Sequence, residues 1–177
     1  MPVRRAPQAV VIGDAVAPPR LERLAAQLGA RLAQLGFTVV TGGGGGVMAA
    51  ACRGARRAGG HTVGILPSSQ AEDANPWCEV VVPTGLGHAR NAITALAGDV
   101  VIAVGGGAGT LSELAFAWMH GRPILLLAGS GGWADQLAGR AIDARRSAVI
   151  ETCADLDACE AALRRLVLRP ARRPTHR

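Results

Sequence analysis

Three short segments of this 177-residue chain carry residue types suited to holding an anion. They are Thr41-Gly42-Gly43-Gly44-Gly45-Gly46, Pro83-Thr84-Gly85-Leu86-Gly87-His88-Ala89-Arg90, and Gly105-Gly106-Gly107-Ala108-Gly109-Thr110. A glycine-rich turn entering a helix lets backbone N–H groups approach a phosphate, and the helix dipole adds attraction. Gly43, Gly44 and Gly45 make one candidate loop. Gly106, Gly107 and Gly109 make a second, with the Thr110 hydroxyl as an extra donor. Between them in the chain, Arg90 offers a planar fork for phosphate or carboxylate, with Asn91 as a polar neighbour. Each loop taken alone is equally explained as a tight turn that needs φ > 0. Two such loops with an arginine helix start between them favour the anion site.

Glu113 has two readings. Thr110-x-x-Glu113 has the spacing of a capping box, in which both side chains satisfy free amides at a helix start and no ligand is needed. The same glutamate at a ligand-facing helix start could bond ribose hydroxyls or stabilise an oxocarbenium-like centre. Spacing alone leaves both open. Asp99 starts a strand and therefore lies at the opposite edge, where it is structural. His88 could move a proton, although a loop histidine is more often incidental; His61 and His120 stand at element ends and receive no role.

These loops need a frame, and the pattern of apolar residues supplies one. Strand-like runs are expected at residues 9–12, 37–40, 62–66, 79–82, 100–104, 124–127 and 148–150. Helical stretches are expected after Pro18-Pro19, and at residues 47–58, 89–97, 111–119, 133–137 and 156–168. Strand and helix alternate throughout, which predicts a single α/β domain over residues 9–168. It would be a doubly wound, Rossmann-like parallel sheet with right-handed crossovers. All three polar segments directly follow strands, so all three meet at the carboxyl edge, where such sheets bind ligands. An ordinary dinucleotide site fits less well. Gly44-x-Gly46-x-x-Ala49 follows the second strand, and no acid ends the third.

Composition narrows the chemistry. All 19 basic side chains are arginine; the sequence has no lysine, which excludes pyridoxal phosphate enzymes and Walker-type NTPases. The net charge of +6 is matched by six terminal arginines, Arg4, Arg5, Arg169, Arg172, Arg173 and Arg177. Residues 1–8 and 169–177 therefore read as solvated basic tails around a neutral body, and no nucleic-acid partner is expected. With 49% hydrophobic residues, a mean hydropathy of +0.25 and no apolar run long enough for a bilayer, the chain reads as cytoplasmic with no membrane partner. Cys52, Cys78, Cys153 and Cys159 have no metal spacing and read as buried thiols.

Thr41 through Met48, Ala58 through Pro67, Ala89-Arg90-Asn91 and Gly105 through Glu113 together resemble the Lonely Guy-like superfamily. It includes cytokinin-activating phosphoribohydrolases and molybdenum cofactor carrier proteins. The resemblance spans about residues 9–165. It implies a phosphorylated small-molecule partner, a homo-oligomer (dimer or tetramer) and no required cofactor, with a molybdenum cofactor or nucleotide as bound ligand. The hydrolase signature Pro-Gly-Gly-x-Gly-Thr-x-x-Glu, with an upstream Arg-Lys, has Gly105 here in place of its proline and Asn91 in place of its lysine. Its catalytic arginine and glutamate map onto Arg90 and Glu113. Gly-Gly-Gly with Arg-Asn is closer to the carrier branch. Two functions follow from the resemblance: a binding or carrier protein for a phosphorylated nucleotide-like ligand, or an enzyme that hydrolyses the N-glycosidic bond of nucleoside 5′-monophosphates.

Overall fold

A computed structural model describes residues 5–167. Seven parallel strands form one sheet in the order β4-β3-β2-β1-β5-β6-β7. They are β1 (Gln8–Gly13), β2 (Thr38–Thr41), β3 (Thr62–Leu66), β4 (Val80–Pro83), β5 (Val100–Val104), β6 (Ile124–Leu127) and β7 (Glu151–Cys153). The helices are α1 (Pro19–Gln34), α2 (Gly46–Arg57), α3 (Arg90–Ala97), α4 (Ala108–Met119), α5 (Gly132–Gln136) and α6 (Leu156–Val167). The chain is thus one α/β domain with a doubly wound parallel sheet.

Apolar strand sequences place the sheet between two cores, as parallel sheets require. Every residue of β5 is buried, and β5 pairs with β1 from Ala9↔Val100 to Gly13↔Val104. One core joins alternate sheet residues such as Val11, Val39 and Ile102 to α1, α2 and α6. The other joins Val10, Val40 and Val101 to α3, α4 and α5. Strand order reverses between β1 and β5, which opens a crevice above their carboxyl ends.

Several expectations are corrected. β7 lies at Glu151–Cys153 and not at residues 148–150. Its pairing with β6 sets the register (Leu125↔Glu151), and only Cys153 of this edge strand turns inward, so its apolar signal is faint. β1 begins at Gln8, inside the expected tail. Arg5 is not a free solvated charge either: it clamps Asp99 through two hydrogen bonds, of 2.9 and 2.5 Å, and Asp99 also accepts the Gln8 N–H. Asp99 therefore organises the amino edge of the sheet. Arg4 and the arginines beyond 168 lie outside the described residues. Trp118 is core, 2% exposed and bonded to Asp143, whereas Phe116 is half-buried. Among the described residues no helix is long and apolar enough to cross a membrane.

Candidate functional site

The 42–46 loop leaves β2 and enters α2; the 105–107 loop leaves β5 and enters α4. Gly43, Gly46, Gly105 and Gly106 have φ of 75°, 54°, 65° and 105°, so both loops use a conformation that L side chains resist. Gly107 and Gly109 differ: a Cβ on either would meet nothing within 4 Å. Absence of side chains there opens the N-terminus of α4 to solvent. Gly107 is the helix N-cap and makes no side-chain cap bond, so the first amides of α4 are free to receive an anion.

The capping-box reading of Glu113 does not hold. α4 starts at Ala108, ahead of the expected 111, which puts Thr110 inside the first turn with no capping bond. Glu113 instead faces Arg90. Arg90 Nη1 lies 3.6 Å from Glu113 Oε1, with the two side chains only 12% and 9% exposed. The same nitrogen is 3.3 Å from Thr94 Oγ1, and Arg90 Nε is buried with no partner among the described residues. The guanidinium also packs on Gly42, where a Cβ would collide with it. Arg90, the first glycine loop and α4 therefore converge, although Arg90 and Glu113 stand 23 positions apart in the chain. Burial pushes the Glu113 carboxyl up to about 7, against the opposing pull of Arg90.

Asn91 turns away from this pair. It is buried, and its Nδ2 donates to Ser112 Oγ at 2.7 Å, which in turn donates to the Gly109 carbonyl at 2.7 Å. Its role in the geometry is to brace α3 against the first turn of α4. His88 lies in an exposed turn before α3, and His61 pairs with Glu79 (2.8 Å) beside the start of β3.

Three positioning residues escaped the sequence reading. Asp14 Oδ2 accepts the Gly106 N–H (3.0 Å), while its carbonyl accepts the Val47 N–H (2.9 Å), so one residue ties both loops to the end of β1. Ser130 Oγ accepts the Gly105 N–H at 2.9 Å. Asn75 holds the first loop, its Nδ2 donating to the Gly43 and Gly44 carbonyls at 3.2 and 3.0 Å. Only the Gly13-Asp14 turn directly after β1 marked any of them locally.

A doubly wound sheet with two glycine loops beside its switch point, flanked by a buried Arg–Glu pair, places the candidate site where α/β proteins of this class bind their ligands. Within that class, the chain belongs to the SLOG cluster4 family, whose model matches residues 6–156. The molybdenum cofactor carrier protein of Chlamydomonas reinhardtii is 33% identical with a TM-score of 0.81, covering 93% of this chain and 100% of that one. The molybdenum cofactor binding protein of Rippkaea orientalis is 34% identical with a TM-score of 0.78, covering 92% and 98%. A cytokinin riboside 5′-monophosphate phosphoribohydrolase of Mycobacterium tuberculosis is 35% identical over 129 residues, 67% of this chain and 69% of that protein.

Proposed function

We propose that this protein binds a phosphorylated, nucleotide-like small molecule and carries it without cleaving it, with a molybdenum-bearing pterin as the foremost cargo. The observation that supports this best is the engagement of Asn91 with Ser112. Where the hydrolase signature has a second cation, this chain has a helix brace. The site is left with one cation beside one buried acid. Anion affinity then comes from backbone amides: the open first turn of α4 takes a phosphate, and the 42–46 loop faces it across the crevice. Amides bind charge without supplying a group that can attack or leave, which suits carriage.

A hydrolytic reading has its own support. Arg90 and Glu113 stand side by side, and a carboxyl held near 7 is suited to proton or charge transfer at a sugar. Incubation with AMP, with free base followed by chromatography, separates the two. The expected result is AMP bound without base release, and bound more weakly by Arg90→Ala. Base release that disappears in Glu113→Ala would overturn carriage in favour of hydrolysis.

The functional unit is proposed to be a homo-oligomer. Apart from Arg90 and Glu113, which face each other, α3 and α4 carry no charged side chain, and Ile93 and Met119 are 43% and 45% exposed on them. A helix layer apolar on both sides asks for a second covering surface. Ile93→Glu is expected to shift the protein to monomer in light scattering, with an unchanged circular dichroism spectrum.

A further inference from the structure

Away from the crevice, the crossover from β3 to β4 departs from the rest of the fold. Every other crossover in the sheet contains an α-helix, whereas residues 67–79 contain only a 3-10 turn at Ala71–Asp73. Long crossovers without a helix are uncommon in compact domains and often functional. Between this one and the end of α2 lies a cleft of ≈ 370 Å³, lined by Arg56, Arg57, Pro76, Trp77, Cys78 and Glu79. Cys78 also corrects an expectation: Cys52, Cys153 and Cys159 are buried thiols, but Cys78 is half-buried. Gly64 of β3 makes room for it, since a Cβ there would come within 2.6 Å of the Cys78 sulfur.

The walls of the cleft are fixed from below. Thr62 Oγ1, buried at the start of β3, donates to the Trp77 carbonyl at 2.6 Å and accepts the Glu79 N–H at 2.9 Å. The one acid is already partnered. Glu79 meets His61 at 2.8 Å and Arg56 at 3.2 Å, and His61, with Arg56 behind it, holds the carboxyl below its ordinary range. Arg56 is engaged a second time, donating to the Gly60 carbonyl at 3.0 Å. Arg57 differs. It is exposed, lies over the Trp77 ring at 5.7 Å, and has no ion pair or hydrogen bond among the described residues. The Trp77 indole N–H has no acceptor among them either, and it is not buried. Two free donors, one of them charged, therefore share a cleft whose remaining walls, Pro76 and the indole, are apolar.

We propose that this cleft is a second binding site, for a small aromatic carboxylate, and that its occupation stiffens the 42–46 loop. A guanidinium over an aromatic face still offers its N–H fork to a carboxylate. The carboxylate pairs with Arg57 and the Trp77 indole N–H, and the ring lies against Trp77 and Pro76. One free cation matches a monoanion better than a phosphate dianion, and the volume is at the small end of ligand pockets. The path to the loop is short. The Trp77 N–H donates to Asn75 Oδ1 at 3.1 Å, and Asn75 Nδ2 holds the Gly43 and Gly44 carbonyls at 3.2 and 3.0 Å. The Asn75 N–H donates to the Gly43 carbonyl as well, at 2.8 Å. A ligand that fixes Trp77 fixes Asn75, and with it the loop. Neither part of the proposal depends on what the crevice binds.

The test titrates the full, nitrogen-15-labelled chain with benzoate and follows the indole N–H signals of its three tryptophans by NMR. Benzoate should shift the Trp77 signal saturably and leave those of Trp118 and Trp133 in place, with Trp77→Phe identifying the signal. Arg57→Gln, at an exposed position, should keep the native melting temperature and weaken benzoate about tenfold, the equivalent of one charge-assisted hydrogen bond. Neutral benzamide should be weaker by a similar factor. Amide exchange at residues 42–46 should slow severalfold in saturating benzoate, and should not change in Arg57→Gln at the same concentration. No saturable shift at Trp77, or an equal response to benzamide, would overturn the site. Inorganic phosphate bound more tightly than benzoate would overturn the ligand class. Unchanged exchange in a saturated sample would overturn the coupling to the loop.

Discussion

Glu113→Gln is expected to abolish a loss of about 3 kcal/mol in stability that the native protein undergoes as pH rises from 4.5 to above 7. The carboxyl titrates at about 7 in the folded protein against an ordinary value of 4.5. Between those values the folded state keeps a proton that the unfolded state has released. Stability therefore falls as pH rises through the window; the contribution is complete below 4.5 and gone above 7. The magnitude follows from the 2.5-unit gap at about 1.36 kcal/mol per unit. Glutamine keeps the shape and cannot ionise, so its profile lacks this slope. Urea unfolding of both proteins across the pH range measures the difference directly. Parallel profiles would mean that Arg90, 3.6 Å away, keeps Glu113 ionised in spite of its burial. The outcome bears on function, because a carboxyl near 7 can be switched by the charge of a ligand placed beside it.

A second large effect is expected far from the crevice. Gly29 and Gly54 sit inside α1 and α2, where glycine costs about 1 kcal/mol relative to alanine. Neither has a positive φ. Their value lies in close approach: a Cβ on Gly54 would overlap the Ala26 carbonyl, and one on Gly29 the Ala51 carbonyl. The two helices meet backbone to backbone, and α2 carries the first glycine loop at its head. Gly54→Val should therefore lose about 3 kcal/mol, because the obstructing atoms are backbone and cannot rotate aside. Gly109→Ala, in the first turn of α4 with open space around it, should be neutral within about 1 kcal/mol. Thermal unfolding of the pair distinguishes packing glycines from loop glycines. Equal melting temperatures would show that α1 and α2 can move apart at little cost.

Much of the fold was legible before any coordinates. Apolar runs such as residues 100–104 and the amphipathic stretch of α1 are local signals, written by solvent exposure into periodicities of two and 3.6. Three polar segments following strands sufficed to put them on one edge, because parallel strands present all their carboxyl ends on the same side. The absence of lysine excluded whole chemistries through composition alone.

Tertiary structure decided what each polar residue does. Thr110 and Glu113 satisfy a capping pattern by spacing, yet the helix begins earlier because Gly107 can take the N-cap, and the freed carboxylate meets Arg90 from another helix. Asn91 bonds Ser112 only because α3 and α4 are neighbours across the sheet order. Asp99 holds Arg5 and Asp14 ties two loops for the same reason. Backbone propensity and hydrophobic period depend on near neighbours in the chain and can be read from it. Charge pairing, desolvation and side-chain hydrogen bonds depend on distances in space, which exist only once the strands have taken their order in the sheet.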